Sequence, residues 1–213
     1  MKDCCNLSYQ HEFDTKKAQK ELEDYRRNNL KKSSRALLEV IKKLPLQGKT
    51  LLDIGGGIGV IPLELFQEGV QKTTHIEISE ASRQAFLTET KRQSLVNKVE
   101  SKQGDFLDLH DSVSTADLVT LDKVICCYEN YLDLVGQSVS KARKWYVYSI
   151  PRDVWWVRLL QGIEQWIRTR KGRPFQSYIH STAEIEKLVQ MAGFRKVEQR
   201  YQREWMIVVF EKM

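Results

Sequence analysis

Acidic residues at the ends of strand-like runs carry the first chemical signal in this chain. Asp53 stands near the end of Thr50-Leu51-Leu52-Asp53-Ile54, and Gly55, Gly56, Gly57 and Gly59 follow at once. Glycines in that density permit positive φ and let a ligand approach bare backbone. A dinucleotide fingerprint would need a small residue closing G-x-G-x-x-G, but from Gly55 or Gly57 that place falls on Ile or Pro. A carboxylate at position 53 suits a cationic amine better than a pyrophosphate. Glu77, closing the next run Thr73-Thr74-His75-Ile76-Glu77-Ile78, is placed to accept two ribose hydroxyls. Asp53 and Glu77 together favour S-adenosylmethionine over NAD as the ligand.

A second group of reactive side chains follows the run Ala116 to Leu121. Asp122, Lys123, Cys127, Tyr128 and Glu129 are the polar residues expected where a ligand meets the carboxyl ends of parallel strands. His180 is a further candidate base, because imidazole titrates near neutrality, and it competes with a plain role as a surface residue before a helix. His180, Lys123 and Tyr128 are therefore the candidate catalytic residues. The four cysteines form two adjacent pairs, Cys4-Cys5 and Cys126-Cys127, without C-x-x-C spacing. Free thiols are the simplest reading. A soft-metal or metalloid site joining both pairs is the sharper alternative, and no metal ligand set is assigned.

These residues need a scaffold that brings strand ends together. From Val60 the apolar residues Ile61, Leu63, Leu65 and Phe66 recur at helical spacing after the glycines. A helix is expected from Ser79 or Glu80 to about Asn97, and a third strand from Val99 to Gln103. A fourth strand at Ala116 to Leu121, a helix at Tyr131 to Ala142 and a fifth strand at Trp145 to Ile150 continue the alternation. The expected fold is α/β: a Rossmann-like, seven-stranded, mostly parallel sheet with helices on both faces. One or two helices, broken at Asn28-Asn29, are expected between Asp14 and Leu44. After the fifth strand, Trp155 to Arg168 reads as an inserted amphipathic helix, with core packing, a lid over an apolar pocket, and a helix on a membrane surface as its three readings. Lys171-Gly172-Arg173-Pro174 ends the insertion. Ser181 and Glu184 form a capping box for a helix from Thr182 to Ala192, and strands near Arg195 to Tyr201 and Trp205 to Glu211 close the chain.

The set Asp53, glycine turn and Glu77 resembles motifs I and II of class I S-adenosylmethionine-dependent methyltransferases, over nearly all of the chain after residue 45. The resemblance implies that Asp105 reads the adenine amino group and Phe106 packs on the ring, with Ile78 and Leu121 completing the cofactor wall. It also implies that the N-terminal extension lies over the cleft, with Tyr25 at the substrate. Cys127, Arg152, Trp155 and Trp156 join Tyr25 as expected substrate contacts. More loosely, Ile150-Pro151-Arg152, the apolar helix, Tyr178-Ile179-His180 and the capped helix ending in Gly193-Phe194 resemble the magnesium-protoporphyrin O-methyltransferase group. This chain carries Cys127-Tyr128-Glu129 where that group has His-Tyr-Pro.

The chain has 213 residues, 41% of them hydrophobic and 29% charged, which suits a single globular domain. Within it, 1–45 is expected as a helical cap, 46–150 as the cofactor-binding core, 151–180 as a substrate-side insertion and 181–213 as the closing helix and strands. No segment approaches the roughly 20 apolar residues of a membrane span, and a cytoplasmic enzyme is expected, with peripheral membrane contact left open. The net charge of +6 would suit an anionic partner. Nucleic-acid bases are disfavoured because the segment after Leu121 lacks both N/D-P-P-Y/F and Pro-Cys. The expected function is methyl transfer to a small or medium-sized molecule, preferably at oxygen. Thiol-assisted methylation of arsenic, a non-catalytic cofactor-binding module and an RNA-binding module are the alternatives.

Overall fold

The computed structural model describes residues 12, 14–170 and 175–213. Cys4, Cys5 and the expected end of the insertion at Lys171 to Pro174 lie outside the described residues. Seven strands form one sheet: β1 (Thr50–Ile54), β2 (Lys72–Glu77), β3 (Val99–Gln103), β4 (Ala116–Asp122), β5 (Ala142–Pro151), β6 (Phe194–Gln202) and β7 (Trp205–Lys212), in the order β3-β2-β1-β4-β5-β7-β6. The first five are parallel, and β7 runs antiparallel between β5 and β6. The chain winds outward from β1 to β3, then returns to lay β4 on the other side of β1. That reversal leaves a crevice at the carboxyl ends of β1 and β4, where open α/β sheets bind ligands.

Strand alternation sorts side chains between two apolar layers. On one face Leu52, Val119, Leu121, Tyr146, Tyr148, Val208 and Phe210 pack against α6 (Tyr131–Ser140) and α8 (Thr182–Met191). On the other, Leu51, Leu118, Trp145, Val147, Ile207 and Val209 pack against α2 (Lys32–Ile41) and α3 (Val60–Gln67). The N-terminal helix α1 (Thr15–Arg26) is capped by Asp14 and lies against α4 (Glu80–Arg92), with the expected break at Asn28-Asn29 between α1 and α2. The short helix α5 (Phe106–Leu109) follows β3.

Several boundaries differ from expectation. Helix α4 stops at Arg92, because Ser94 takes a positive φ of 58°, and only a 3₁₀ turn at Val96–Lys98 continues it. Strand β5 begins at Ala142, three residues early, because its first residues pair with β4. The capping box at α8 is half made: Ser181 Oγ accepts from the Glu184 N–H at 3.4 Å, but the Glu184 carboxylate accepts instead from the Tyr131 hydroxyl.

The insertion, α7 (Trp155–Arg170), departs most. Val157 is its one buried residue, so the core-packing reading does not hold.

The glycine turn is seated on α4. Gly59 has φ +75°, and a Cβ there would fall 2.0 Å from Cδ2 of the fully buried Phe86. Phe86→Ala is expected to cost about 3–5 kcal/mol as a large-to-small core change. Gly59→Ala in that background should cost only the backbone strain, about 1–2 kcal/mol, and less than in the parent. Urea unfolding of the double-mutant cycle measures this; equal costs of Gly59→Ala in both backgrounds would show that the ring contact does not set the glycine.

Candidate active site

Between β1 and β2 the turn is held by two side chains from β2. The Glu77 carboxylate accepts from the Gly57 N–H at 2.7 Å and from the Ser79 N–H at 2.8 Å. His75, opposite Asp53 in the β1–β2 register, lies 3.1 Å through Nε2 from the Gly57 carbonyl and 3.2 Å through Nδ1 from Ser101 Oγ. Burial pushes His75 down to about 3, so it stays neutral. A neutral ring satisfies both contacts if Nε2 donates to the carbonyl and Nδ1 accepts from the hydroxyl. Gly57, at φ +57°, has open space where a Cβ would lie. Gly59 leaves the first amides of α3 without a side-chain cap, which suits them to a ligand carboxylate.

Asp53 lies beneath this turn rather than in it. It is fully buried, Oδ1 accepts from Thr120 Oγ1 at 2.6 Å, and Oδ2 has no hydrogen-bond partner among the described residues. A Cβ on Gly56 would come within 2.2 Å of Oδ2. Burial, only partly opposed by the Thr120 bond, lifts the carboxyl from 3.8 to about 7, with Asp122 and Glu77 adding repulsion. The expected direct contact with a ligand amine is corrected: Asp53 is fully buried beneath Gly56 and does not line the cavity.

A cavity of about 560 Å³ opens above the turn. Gly55, Gly56, Gly57, Ile58, Glu77, Ile78, Gly104 and Phe106 line its donor end. Burial raises the Glu77 pKa against the opposing pull of the Ser79, Gly57 and Ile78 amides, and Glu77 lines the cavity. Asp105 sits at the margin, where Oδ1 accepts from the Leu107 N–H at 2.9 Å and from the Tyr128 hydroxyl at 2.8 Å. Leu121 is corrected: it is fully buried in the sheet core and does not line the cavity. Gly59 also stays out of the lining, its role being contact with Phe86.

The other end of the cavity meets β4. Lys123 holds a positive φ of 63° just beyond the strand, and its N–H donates to Ser149 Oγ at 3.0 Å. Its Nζ donates to Ser34 Oγ at 2.8 Å, lies 3.5 Å from Asp122 Oδ2 and sits 5.4 Å from the centre of the Trp205 ring. Ser34 donates to Asp122 Oδ2 at 2.8 Å, and Ser149 donates to Asp122 Oδ1. Both Cys126 and Cys127 thiols lie 3.4 Å from the Lys123 carbonyl. Hydrogen bonding to Cys127, then burial, pushes the Cys126 thiol well above the usual range. Leu160, Gln161, Phe175 and Trp205 also line the cavity, and so does Tyr25, which packs beside Ile58 and Val60.

The expected catalytic and substrate residues divide accordingly. Lys123, Tyr128, Tyr25 and Cys127 line the cavity. Tyr128 is corrected to the donor end, because its hydroxyl is committed to Asp105. His180 is corrected out of the cavity: it stacks between Tyr131, at 4.0 Å, and Tyr178, at 5.7 Å, and burial lowers its pKa. Arg152, Trp155 and Trp156 do not line it either; Arg152 lies over the rings of Trp156 and Tyr201, and Trp155 is 77% exposed. Their basic and aromatic character resembles a substrate wall, but α7 turns Trp155 outward, and Arg152, which precedes the helix, packs against Trp156 and Tyr201 instead. Missed in the sequence were His75, Ser34, Ser149 and Trp205. His75 and Ser149 carry a readable signal, since each stands in register with an acid of the neighbouring strand, Asp53 and Asp122.

A family model described as a methyltransferase domain matches residues 23–199. The chain belongs to that family. No curated protein matches the sequence. Among solved structures, the fold is similar to magnesium protoporphyrin IX methyltransferase from Synechocystis PCC 6803 with bound S-adenosylhomocysteine, at TM-score 0.69 and 18% identity over 85% of this chain and 82% of that one. An O-methyltransferase family protein from Burkholderia thailandensis aligns at TM-score 0.70 and 15% identity, over 96% of this chain and 63% of the other. A putative S-adenosylmethionine-dependent methyltransferase from Listeria monocytogenes aligns at TM-score 0.63 and 15% identity, over 84% and 99%. The methyltransferase domain uses S-adenosylmethionine, and the residues present fit it: an orphaned buried carboxylate for a cation, Glu77 for a diol and uncapped amides for a carboxylate.

The raised Asp53 pKa sets a pH dependence. The folded chain holds that proton more tightly than the unfolded chain, so this residue's contribution to stability falls as pH rises from about 4 to about 7. Asp53→Asn should therefore gain about 1–3 kcal/mol relative to the parent near pH 8 and little near pH 4. Parent affinity for S-adenosylhomocysteine should strengthen by up to about tenfold from pH 6 to pH 8, and Asp53→Asn should bind more weakly without that slope. Urea unfolding and calorimetry read the two effects; a parent affinity flat across this range would remove the electrostatic role.

Proposed function

We infer that this methyltransferase acts on an oxygen of a small or medium-sized, largely apolar molecule. The observation that carries the reading is the Lys123, Ser34, Asp122 and Ser149 network in the wall of the cavity. Ser34 spends its one proton on Asp122 and accepts from one Lys123 N–H, a second Lys123 N–H meets Asp122 Oδ2 at 3.5 Å, and the third is left to hold an acceptor oxygen. Ser149 holds the other Asp122 oxygen, so the carboxylate keeps the orientation in which Oδ2 meets both Ser34 and the ammonium. An acceptor that is already an anion, such as a carboxylate, then needs no base. For a hydroxyl acceptor, Ser34 and Asp122 offer a path for the proton.

When bound, S-adenosylmethionine supplies an electrophilic methyl on a sulfonium sulfur. The chain's own task is alignment and exclusion of water, which can supply most of the acceleration. Leu160, Phe175 and Trp205 give the acceptor end its apolar walls. Glu12 joins Lys17 of α1 to Arg168 of α7, each at 3.0 Å, and so closes the rim between the two helices. Methylation of a thiol-bound metalloid has less support. No group of three soft or carboxylate ligands meets among the described residues, and the Cys126 thiol resists ionisation.

Incubating the enzyme with a metabolite extract and a labelled methyl donor identifies the acceptor, and label in an ester or ether supports the oxygen assignment. Label confined to nitrogen or sulfur products would overturn it. Lys123→Met is expected to lower kcat/KM by about 100-fold or more, with S-adenosylhomocysteine affinity changed by less than about twofold. Undiminished turnover would end the role given to Lys123.

A further inference from the structure

Helix α7 has its amphipathic faces inverted with respect to the body of the protein. Val157, Gln161, Glu164 and Arg168 line the cavity, so the side that meets the protein is mostly polar. At roughly 3.6 residues per turn, Trp155, Trp166, Leu159, Ile163 and Ile167 fall together on the opposite side, and all are exposed, Trp155 at 77% and Trp166 at 58%. Burying such side chains is worth about 1.5–3 kcal/mol each, and the fold leaves them in water. Leu160 belongs to both surfaces: it is exposed and lines the cavity, so the apolar face runs without a break to the cavity rim.

We propose that this face of α7 docks the enzyme on an anionic phospholipid membrane, lying in the plane of the interface with the cavity rim at the lipid. The distribution of charge selects this occupant. Arg170 lies within the apolar arc, its guanidinium 4.3 Å from the centre of the Trp166 ring, and Arg158 borders the arc, paired with Asp153 at 2.7 Å. The helix's one carboxylate, Glu164, is turned to the cavity side and bound by Arg168 at 2.7 Å. A face of tryptophan, leucine and isoleucine with arginine at its level is the composition that seats helices at a lipid headgroup layer. Trp155 and Trp166 stand roughly 16 Å apart along the axis at about 1.5 Å per residue, so both ends of the helix are anchored. Beyond α7, Arg152 lies 4.6 Å from the centre of the exposed Tyr201 ring and extends the basic rim. A second copy fits worse, because a two-fold contact through this face sets Arg170 against its counterpart with no carboxylate in the arc to neutralise it.

The test uses the full chain and does not depend on methyl transfer. Co-sedimentation with vesicles of phosphatidylcholine, with and without phosphatidylglycerol, should show binding only to the anionic vesicles. Trp155→Ser/Trp166→Ser changes exposed residues outside the cavity and should lower the partition coefficient by at least about tenfold. Raised salt should weaken binding of the parent in the same direction. Unchanged S-adenosylhomocysteine affinity confirms the variant's fold; Arg170→Glu, with a similar expected loss, serves if the double variant does not fold. No binding to anionic vesicles, or equal binding by parent and variants, overturns the proposal. A dimer in sedimentation velocity that the double variant abolishes, without vesicle binding, overturns it in favour of a second copy.

Discussion

A carboxylate sealed under a glycine turn is the constraint that the donor site answers to. Asp53 is fully buried, with one oxygen tied to Thr120 and the other without a partner among the described residues. Leaving such a group in low dielectric costs free energy that water would otherwise supply. The fold accepts the cost because the carboxylate lies at the meeting of β1, β2 and β4, where a cation bound above the turn would relieve it. Around it the choices narrow. Gly56 must lack a side chain because Asp53 and His75 occupy its Cβ position, and His75 must be neutral because its ring is buried against Phe86 at 4.2 Å between centroids. Glu77 then fixes the turn from the other side through the Gly57 amide. The pocket is thus built as one unit of strand ends around a buried carboxyl with one oxygen unpartnered among the described residues.

The acceptor end follows a different logic. Asp122 is satisfied on both oxygens by serines from α2 and β5, and Lys123 is held by a backbone conformation that few side chains adopt. Positive φ at a lysine costs on the order of 1–2 kcal/mol, and here the cost aims Nζ across the cavity toward Ser34 and Trp205. The ammonium thereby shares the cavity lining with the apolar side chains of Leu160 and Phe175. The acceptor end thus holds a balanced ion pair, Lys123 with Asp122, where the donor end holds buried carboxyls without a cation among the described residues.

The parallel core was legible because its signals are local. Apolar runs ending in Asp53, Glu77 and the glycines state strand, turn and helix within a few residues, and the sheet puts those ends side by side. What was not legible depended on direction. Leu121 and Leu118 have the same type and neighbourhood in sequence, and only register decides which layer each enters. His180 carried the right chemistry at a plausible distance along the chain, but stacking between Tyr131 and Tyr178 is a three-dimensional accident of where α6 and the 175–180 segment meet. Ser34 could not be chosen from a polar helix without knowing that the start of α2 meets Asp122 at the carboxyl end of β4. Trp155 and Trp156 were read as pocket walls because periodicity reports that a helix has an apolar face without saying toward what.

That last ambiguity explains why the net charge misleads. The chain carries a formal charge of +6, yet the wall of its cavity holds Glu12, Glu21, Asp24, Glu77, Asp122, Glu164 and Glu204 against Lys17, Lys31, Lys123 and Arg168, with Asp53 beneath. The two balances serve different partners. A sulfonium bearing an amine is drawn to a concave acidic site, where low dielectric strengthens the attraction, while the cations outside act over about a Debye length in water. Summing them into one number erases the separation that the fold maintains. The inverted faces of α7 are the apolar counterpart of the same segregation, since that helix turns its ion pair inward to the rim of the cavity and its tryptophans outward. A surface made this way does not need a larger positive charge to choose an anionic interface; it needs its few arginines at the level of its rings, and Arg170 over Trp166 meets that condition.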